Sequence, residues 1–469
     1  MTFLNRCLLS CLGVALFAAP AYACDFDDTD GLDVGLVLSG GGAKASTQVG
    51  VMQIMEELEI PVHCIAGTSM GAVVGSFYAN GYSAKEIAEI LTDNDWGELF
   101  RGGVPRRDKS FVEKEREASY FSGNVASYGA DGLKLPGGLA SMQGLKTYYR
   151  QILSDVPMEM DFDDLVIPFR AVATNLHKGQ KTVFKDGDLV ESILASMAVP
   201  GVFAPREIGG ELYVDGGLSS NLPIRAAKDM GADIIIAIDV SNEPPKPEQG
   251  LSVTSAANQI TTIIIWQKVQ EELAAYDGEL LYLKPNADIN ISTAGYERSA
   301  EGLGAGRATG ESVREKLLAI KARAAPPSRN PATYKTFEKM ETLRLVNNTP
   351  IKDSIIKRRF NWHGDEDDSI ETGKNLRDLA SFGGFGEVDI GRSSGEAVLT
   401  LEDNPLGRNL VQIGFNATND FDGTSSYSIL GRITRKPLGP RGGDLSLSGE
   451  LGTNLGLSAE LYQPFGLAL

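Results

Sequence analysis

Gly67-Thr68-Ser69-Met70-Gly71 is the stretch on which the reading of this chain turns. An apolar run, Val62 to Ala66, leads into it, and a helix-like run, Met70 to Asn80, follows. Ser69 therefore falls on the strand–turn–helix corner that a nucleophile elbow needs. The turn is sharp, and a side chain at Gly67 or Gly71 would collide with the neighbouring strand. Alone the G-x-S-x-G pattern is a weak signal, because Gly and Ser are common. Its weight comes from its surroundings.

Upstream, Asp33 to Ser39 reads as a buried strand and runs directly into Gly40-Gly41-Gly42-Ala43-Lys44-Ala45. A helix follows, with Val51, Met52, Met55 and Leu58 at helical spacing. A glycine loop at a helix N-terminus aims backbone N–H groups at whatever lies above it. It suits a phosphate or the oxyanion of an acyl-transfer intermediate, and a tight turn with no ligand is the bland alternative. The Walker A spacing fails here, and the dinucleotide fingerprint is matched only loosely, with Ala45 at its last position. Lys44 opposes the helix dipole and reads as a solvated side chain, with positive charge lent to the site as the alternative.

The third piece is Tyr213-Val214-Asp215-Gly216-Gly217, after a short strand-like run. In isolation Asp-Gly marks only a turn. Glycine loop, G-x-S-x-G and Asp-Gly-Gly in this order resemble the patatin-like phospholipase family, over Asp33 to Ala324. Ala195 to Pro205 and Asn221-Leu222-Pro223 also look like that family. Ala45 departs from it, standing where the glycine motif usually ends in Gly. The resemblance implies hydrolysis of a lipid acyl ester, with phospholipid as the expected substrate, by a Ser–Asp dyad without histidine, cofactor or metal. Ser69 is then the nucleophile and Asp215 its base. Gly40, Gly41, Gly42 and Ala43 form the oxyanion hole, and Gly67, Gly71, Gly216 and Gly217 are the motif glycines.

The histidines fit that expectation. His63 sits on the strand feeding Ser69 and is expected to point elsewhere, and His177 lies in a polar hairpin-like stretch. The other histidine is His363. A carboxylate is a weak base for a serine hydroxyl, so burial must raise its pKa or a dry site must shorten the contact.

Met1 to Ala23 reads as a signal peptide: Arg6, the apolar run Leu8 to Ala19, then Ala21-Tyr22-Ala23 as the cleavage site. Processing as a lipoprotein at Cys24 is the alternative. Cleavage removes Cys7 and Cys11 and leaves Cys24 and Cys64 in an oxidising compartment. These lie near the strands leading to the glycine loop and to Ser69. If those strands are neighbours, a Cys24–Cys64 disulfide can form; two free thiols are the alternative. The net charge of −18 makes nucleic acid an unsuitable partner. The basic residues Arg101, Arg106, Arg107 and Lys109 fall in an irregular stretch, Gly97 to Gly144, read as a mobile lid, a membrane-facing loop or a solvated surface excursion.

From 33 to 324 strand and helix patterns alternate, which argues a three-layer α/β sandwich with a mostly parallel sheet. Ligands in such sheets sit beyond the C-terminal strand ends, where the three motifs can meet. Val253 to Tyr276, with Ile263, Ile264, Ile265 and Trp266, reads as a core helix. Residues 325–340 form a linker. A β-α-α-β-β pattern over 341–403 resembles a POTRA module, and 406–469 alternates in segments like outer-membrane barrel strands, too few to close a barrel. The whole order resembles the patatin-type autotransporters of Gram-negative bacteria, with a truncated barrel. It implies export to the outer membrane or cell surface and contact with a membrane. Two rival functions are a nucleotide-binding protein using the glycine loop and the passenger of an outer-membrane assembly protein.

Overall fold

Alternate side chains of the first strand, β1 (Val34–Leu38), serve two different cores, because successive residues of a strand face opposite ways. Leu36 and Leu38 pack with α1 (Ala45–Glu57), while Val37 packs with Leu222, Ile224 and Val269 on the other face. The computed structural model describes residues 24, 31–101, 114, 126–129, 132–246, 252–285, 289–326, 342–362, 369–419, 425–453 and 455–463. The expected signal peptide, His363, Arg106, Arg107, Lys109 and most of the expected linker lie outside these residues.

The chain continues through β2 (Cys64–Thr68), α2 (Met70–Ala79), α3 (Gln143–Ile152), β3 (Phe169–Asn175) and α4 (Leu189–Ser196). Then come β4 (Glu211–Asp215), β5 (Ile234–Ile238) and β6 (Glu279–Leu283). These strands lie in an eight-stranded sheet in the order β6-β5-β1-β2-β3-β4, extended by Arg206–Ile208 beyond β4 and by Lys181–Phe184 along β3. From β6 to β3 every pair is parallel, and β4 runs antiparallel to β3. Val49, Phe77, Tyr149 and Ile193 of α1 to α4 fill one core; residues of Ile224–Asp229 and Val253–Ala275 help fill the other. The expected three-layer sandwich with a mostly parallel sheet is therefore present. The helix Ala84–Asp93 opens on a capping box of Ser83 and Glu86, as its sequence requires.

One expectation fails. In Val253–Ala275 the residues Ile263, Ile264, Ile265 and Trp266 are only half-buried, while Val269 is fully buried. The helix lies on the outer layer, so only one stripe of it meets protein.

Cys24 and Cys64 are joined by a disulfide across 40 positions. Cys24 N–H also donates to the Met230 carbonyl at 2.8 Å, beside the strand ends. Loop-closure entropy makes such a bridge worth about 4 kcal/mol. Cys64→Ala is expected to lower the melting temperature clearly under non-reducing conditions, read by calorimetry. A melting temperature equal to that of the parent would show that the bridge contributes nothing.

Beyond the sandwich, β7 (Leu343–Asn348), α5 (Asp353–Phe360), α6 (Ser369–Gly383), β8 (Glu387–Ser393) and β9 (Glu396–Glu402) form a separate unit. Its sheet has the order β7-β9-β8, and its core is built from Ile356, Phe360, Leu376, Leu379, Val388 and Leu399. Four antiparallel strands follow: β10 (Asn409–Asn419), β11 (Ser425–Leu438), β12 (Gly443–Gly452) and β13 (Leu455–Tyr462). Ala126–Gly129, from the irregular stretch of the sandwich, pairs with β10 and extends this sheet. No helix among the described residues is long and apolar enough to cross a membrane.

Candidate active site

The strand register explains why Ser69 and Asp215 meet. β2 pairs with β3 as far as Thr68 opposite Val172. β4 takes over the same edge of β3 at the next residue, with Asp215 opposite Ala173. Asp215 thus arrives directly beyond the end of β2, where the chain turns at Ser69. Sequence separation hides this juxtaposition; pairing on a shared strand creates it.

Ser69 has φ 54°, a conformation L-residues rarely adopt, at the corner between β2 and α2. The turn is held by close backbone approach. A Cβ on Gly67 would lie 2.5 Å from the Gly71 carbonyl oxygen, and one on Gly71 would lie 2.4 Å from that of Leu38. Ser69 N–H donates to Ser196 Oγ at 2.8 Å, and Ser196 Oγ donates in turn to the Val172 carbonyl. The hydroxyl of Ser69 is the side-chain neighbour that lowers the pKa of the Asp215 carboxyl against the effect of burial.

Asp215 is 6% exposed, and its Oδ1 accepts from Gly217 N at 2.7 Å. Burial is the dominant influence on it and raises its pKa to about 6, against the opposing hydrogen bonds from Ser69 and Gly217. That places it near neutrality, where it can both take and return a proton.

The glycine loop closes over this pair. A Cβ on Gly40 would lie 2.9 Å from the Cβ of Ser69. Asn221 fastens the loop, its carbonyl accepting from Gly40 N at 3.2 Å and its Nδ2 donating to the Gly40 carbonyl at 3.3 Å. Ala43 N donates to the Thr293 carbonyl at 2.9 Å. Two of the four expected oxyanion donors, Gly40 and Ala43, are thus already engaged with protein carbonyls. The amides of Gly41 and Gly42 are what the loop has to offer. Gly42 has φ +60° and packs against Thr293, so a side chain there is excluded twice over.

Lys44 is not solvated as expected. It is 2% exposed, with Nζ donating to Asn242 Oδ1 at 2.8 Å. Burial lowers its pKa to about 8, while the buried Asp239 carboxylate opposes that shift. The histidines lie elsewhere: His63 Nδ1 accepts from Val34 N at 2.9 Å with Nε2 beside the Ala325 carbonyl, and His177 is exposed. Gly216, directly after Asp215, donates from its N–H to the Ser196 carbonyl at 3.1 Å.

Two residues of this site carried no assigned role in the sequence. Ser196 and Asn221 both stand in stretches of family resemblance. Their signal was a polar residue in an apolar run and an Asn beside a helix-opening Pro, too common to carry a role alone. Among the described residues, no group of three or more His, Cys, Asp or Glu side chains forms a metal-binding cluster.

Residues 36–228 match the family model described as patatin-like phospholipase, so a domain of that kind spans them. Patatin-like phospholipase domain-containing protein 7 of Rattus norvegicus is 31% identical over 212 residues, which cover 45% of this chain and 14% of that protein. Lysophospholipase NTE1 of Phaeosphaeria nodorum is 30% identical over 212 residues, covering 45% of this chain and 12% of that protein. The chain therefore spans a small part of the length of these relatives. The structure of VipD from Legionella pneumophila aligns at 16% identity with a TM-score of 0.34, over 62% of this chain and 67% of that one.

Proposed function

We propose that the patatin-like domain hydrolyses lipid acyl esters, as a phospholipase A-type serine hydrolase with Ser69 and Asp215 as its dyad. The observation that carries this reading is the meeting of the strained Ser69 with a buried carboxyl whose pKa is about 6. Ser69 Oγ attacks the ester carbonyl carbon, and its proton passes to Asp215. The tetrahedral oxyanion is held by the N–H groups of Gly41 and Gly42, each worth about 3 kcal/mol if it acts as other oxyanion donors do. Asp215 then gives the proton to the departing alcohol oxygen as the C–O bond breaks. Water adds to the acyl-enzyme, Asp215 takes its proton, and the fatty acid leaves as Ser69 regains a hydrogen. The relatives' names, phospholipase and lysophospholipase, support a lipid ester as the substrate.

The glycine loop closes on Ser69, which favours an oxyanion over a nucleotide phosphate. The unit from 341 to 403 is read as a POTRA-like module and 406–469 as barrel strands. The signal-peptide pattern in 1–23 and the Cys24–Cys64 bridge support export, and the exposed apolar side chains of β10 to β13 support contact with an outer membrane.

A fluorophosphonate ester tests the chemistry directly. It is expected to inactivate the full chain and leave one adduct, on the peptide carrying Ser69, found by mass spectrometry. An adduct on a different serine, with activity lost in step, would sink the assignment.

A further inference from the structure

Seven ionisable side chains meet between the sandwich and the unit from β7 to β9. Lys146 of α3 pairs with Glu191 of α4 at 2.6 Å, with Asp389 of β8 at 2.9 Å and with Glu387 of β8. Arg150 of α3 binds Asp389 through Nε and Nη2 at 3.0 and 2.9 Å, and Asp188 through Nη1 at 2.9 Å. Arg206 joins Glu387 at 2.8 Å and Glu191 at 3.1 Å. Lys146, Arg150 and Asp389 are 4, 6 and 5% exposed, so these charges have left water for one another. Gln143 adds a pair of hydrogen bonds to the backbone of Val388, accepting from its N–H at 3.1 Å and donating to its carbonyl at 2.6 Å.

This cluster grips the N-terminal end of α4. Asp188 is the N-cap of that helix, accepting from Val190 N and Glu191 N, and Glu191 lies in its first turn. The other end of the same eight-residue helix holds the active site. Ser196 Oγ accepts from Ser69 N at 2.8 Å, and the Ser196 carbonyl accepts from Gly216 N at 3.1 Å. Two residues on, the Ala198 carbonyl accepts from Asp215 N at 2.9 Å. Short helices transmit displacement as rigid bodies. A shift imposed at Asp188 and Glu191 therefore moves the acceptors that fix both members of the dyad.

We propose that the Leu343–Glu402 unit is a positioning element for the hydrolase, which reaches full turnover only while Glu387 and Asp389 hold α4 through the buried ion cluster. This rests on the reading of Ser69 and Asp215 as the dyad. Glu387 and Asp389 touch no reacting atom; they act through α4. Misplacement of a dyad by about 1 Å costs on the order of 100-fold in rate, and removing Glu387 and Asp389 leaves the three cations with only Glu191 and Asp188 to balance them.

The test uses the full chain carrying Glu387→Gln and Asp389→Asn, singly and together, with a soluble short-chain ester as substrate. The double variant is expected to lose at least tenfold in kcat with KM within twofold of the parent. The rate at which a fluorophosphonate labels Ser69 should fall in parallel, while labelling still reaches one adduct per chain. Hydrogen exchange should quicken at Val388 and along α4. The near-isosteric single variants keep the comparison available if the double variant fails to fold, and each is expected to lose part of kcat. Unchanged kcat in soluble variants overturns the proposal, whether or not Val388 exchange quickens. A change confined to KM overturns it too. Failure of the underlying dyad looks different: the parent chain would then label elsewhere, or Ser69→Ala would keep its activity.

Discussion

Ser69→Ala is expected to lower ester hydrolysis by a factor on the order of 10⁴ to 10⁶, the range in which loss of a catalytic serine falls. Asp215→Asn should cost nearly as much, because the amide keeps the shape but cannot take the proton. The parent's kcat/KM should rise with pH as Asp215 loses its proton around pH 6 and then level off. A profile governed by His63 or His177 would survive Asp215→Asn and vanish in the corresponding histidine variant, which would overturn the dyad. Stability moves the other way. The folded pKa of Asp215 stands above its value of 3.8 in the unfolded chain, at about 6. The folded state therefore binds more protons in that window. The stability this carboxyl contributes is present below about pH 4 and lost as pH rises through about 6. At pH 7 the buried anion is a burden of about 2–3 kcal/mol. Asp215→Asn removes it and should raise the melting temperature while abolishing turnover. Calorimetry beside an activity assay checks both halves, and a less stable Asn variant would contradict this account of the charge.

The sequence made the chemistry more legible than its support. Ser69 and the glycine loop stand out because each lies in a turn whose geometry demands particular residues, whereas the roles of Asp215 and of the loop rest on the resemblance carried by the three motifs together. Gly67 and Gly71 are required by backbone contacts under 3 Å that no other residue tolerates. The strands were visible because β1 and β5 are apolar throughout. What stayed hidden depends on long-range pairing. Nothing local says that β4 follows β2 along one edge of β3, that Gly40 and Ala43 spend their amides on Asn221 and Thr293, or that Lys44 is buried against Asn242. The ion cluster was invisible for the same reason: Lys146, Glu191 and Glu387 each look like a solvated residue until three elements are brought together. Ile263 to Trp266 erred in the opposite direction, since an apolar run shows a capacity for burial and not whether a neighbour exists to supply it.

Placed in water with phospholipid vesicles, the full chain is expected to partition onto the lipid, because its last four strands present their faces the wrong way round for a soluble sheet. Ile413, Phe415, Ile429 and Ile433 are 58, 55, 57 and 50% exposed, and Leu447, Leu451, Leu457 and Leu461 are 54, 67, 95 and 65% exposed. The register sets them side by side, with Phe415 opposite Ile429, Ile433 opposite Leu447 and Ile429 opposite Leu451. On β11 and β12 the other face carries buried polar residues, Ser428, Arg432, Thr434, Asp444 and Ser446. Thr434 bonds Ser446 at 3.0 Å, and Arg432 bonds Glu460 at 2.9 Å. A half-buried sheet in water shows the reverse pattern, whereas apolar-out and polar-in is the alternation of a membrane barrel. Taking a fully exposed side chain of this kind out of water is worth about 2 kcal/mol, so this partly exposed set favours lipid by roughly 10 kcal/mol, comparable to the 5–15 kcal/mol that typically separates folded from unfolded chains. Vesicle flotation should carry the full chain upward, and in the absence of lipid it should need detergent to stay dispersed. A chain ending at Pro405, which keeps β8 and its ion cluster, should remain in the aqueous fraction and still hydrolyse a soluble ester. Serine at Ile429, Ile433, Leu447 and Leu451 together should release the full chain from vesicles. If the unaltered chain instead runs as a detergent-free monomer that ignores vesicles, the exposed face is not a lipid-contacting surface.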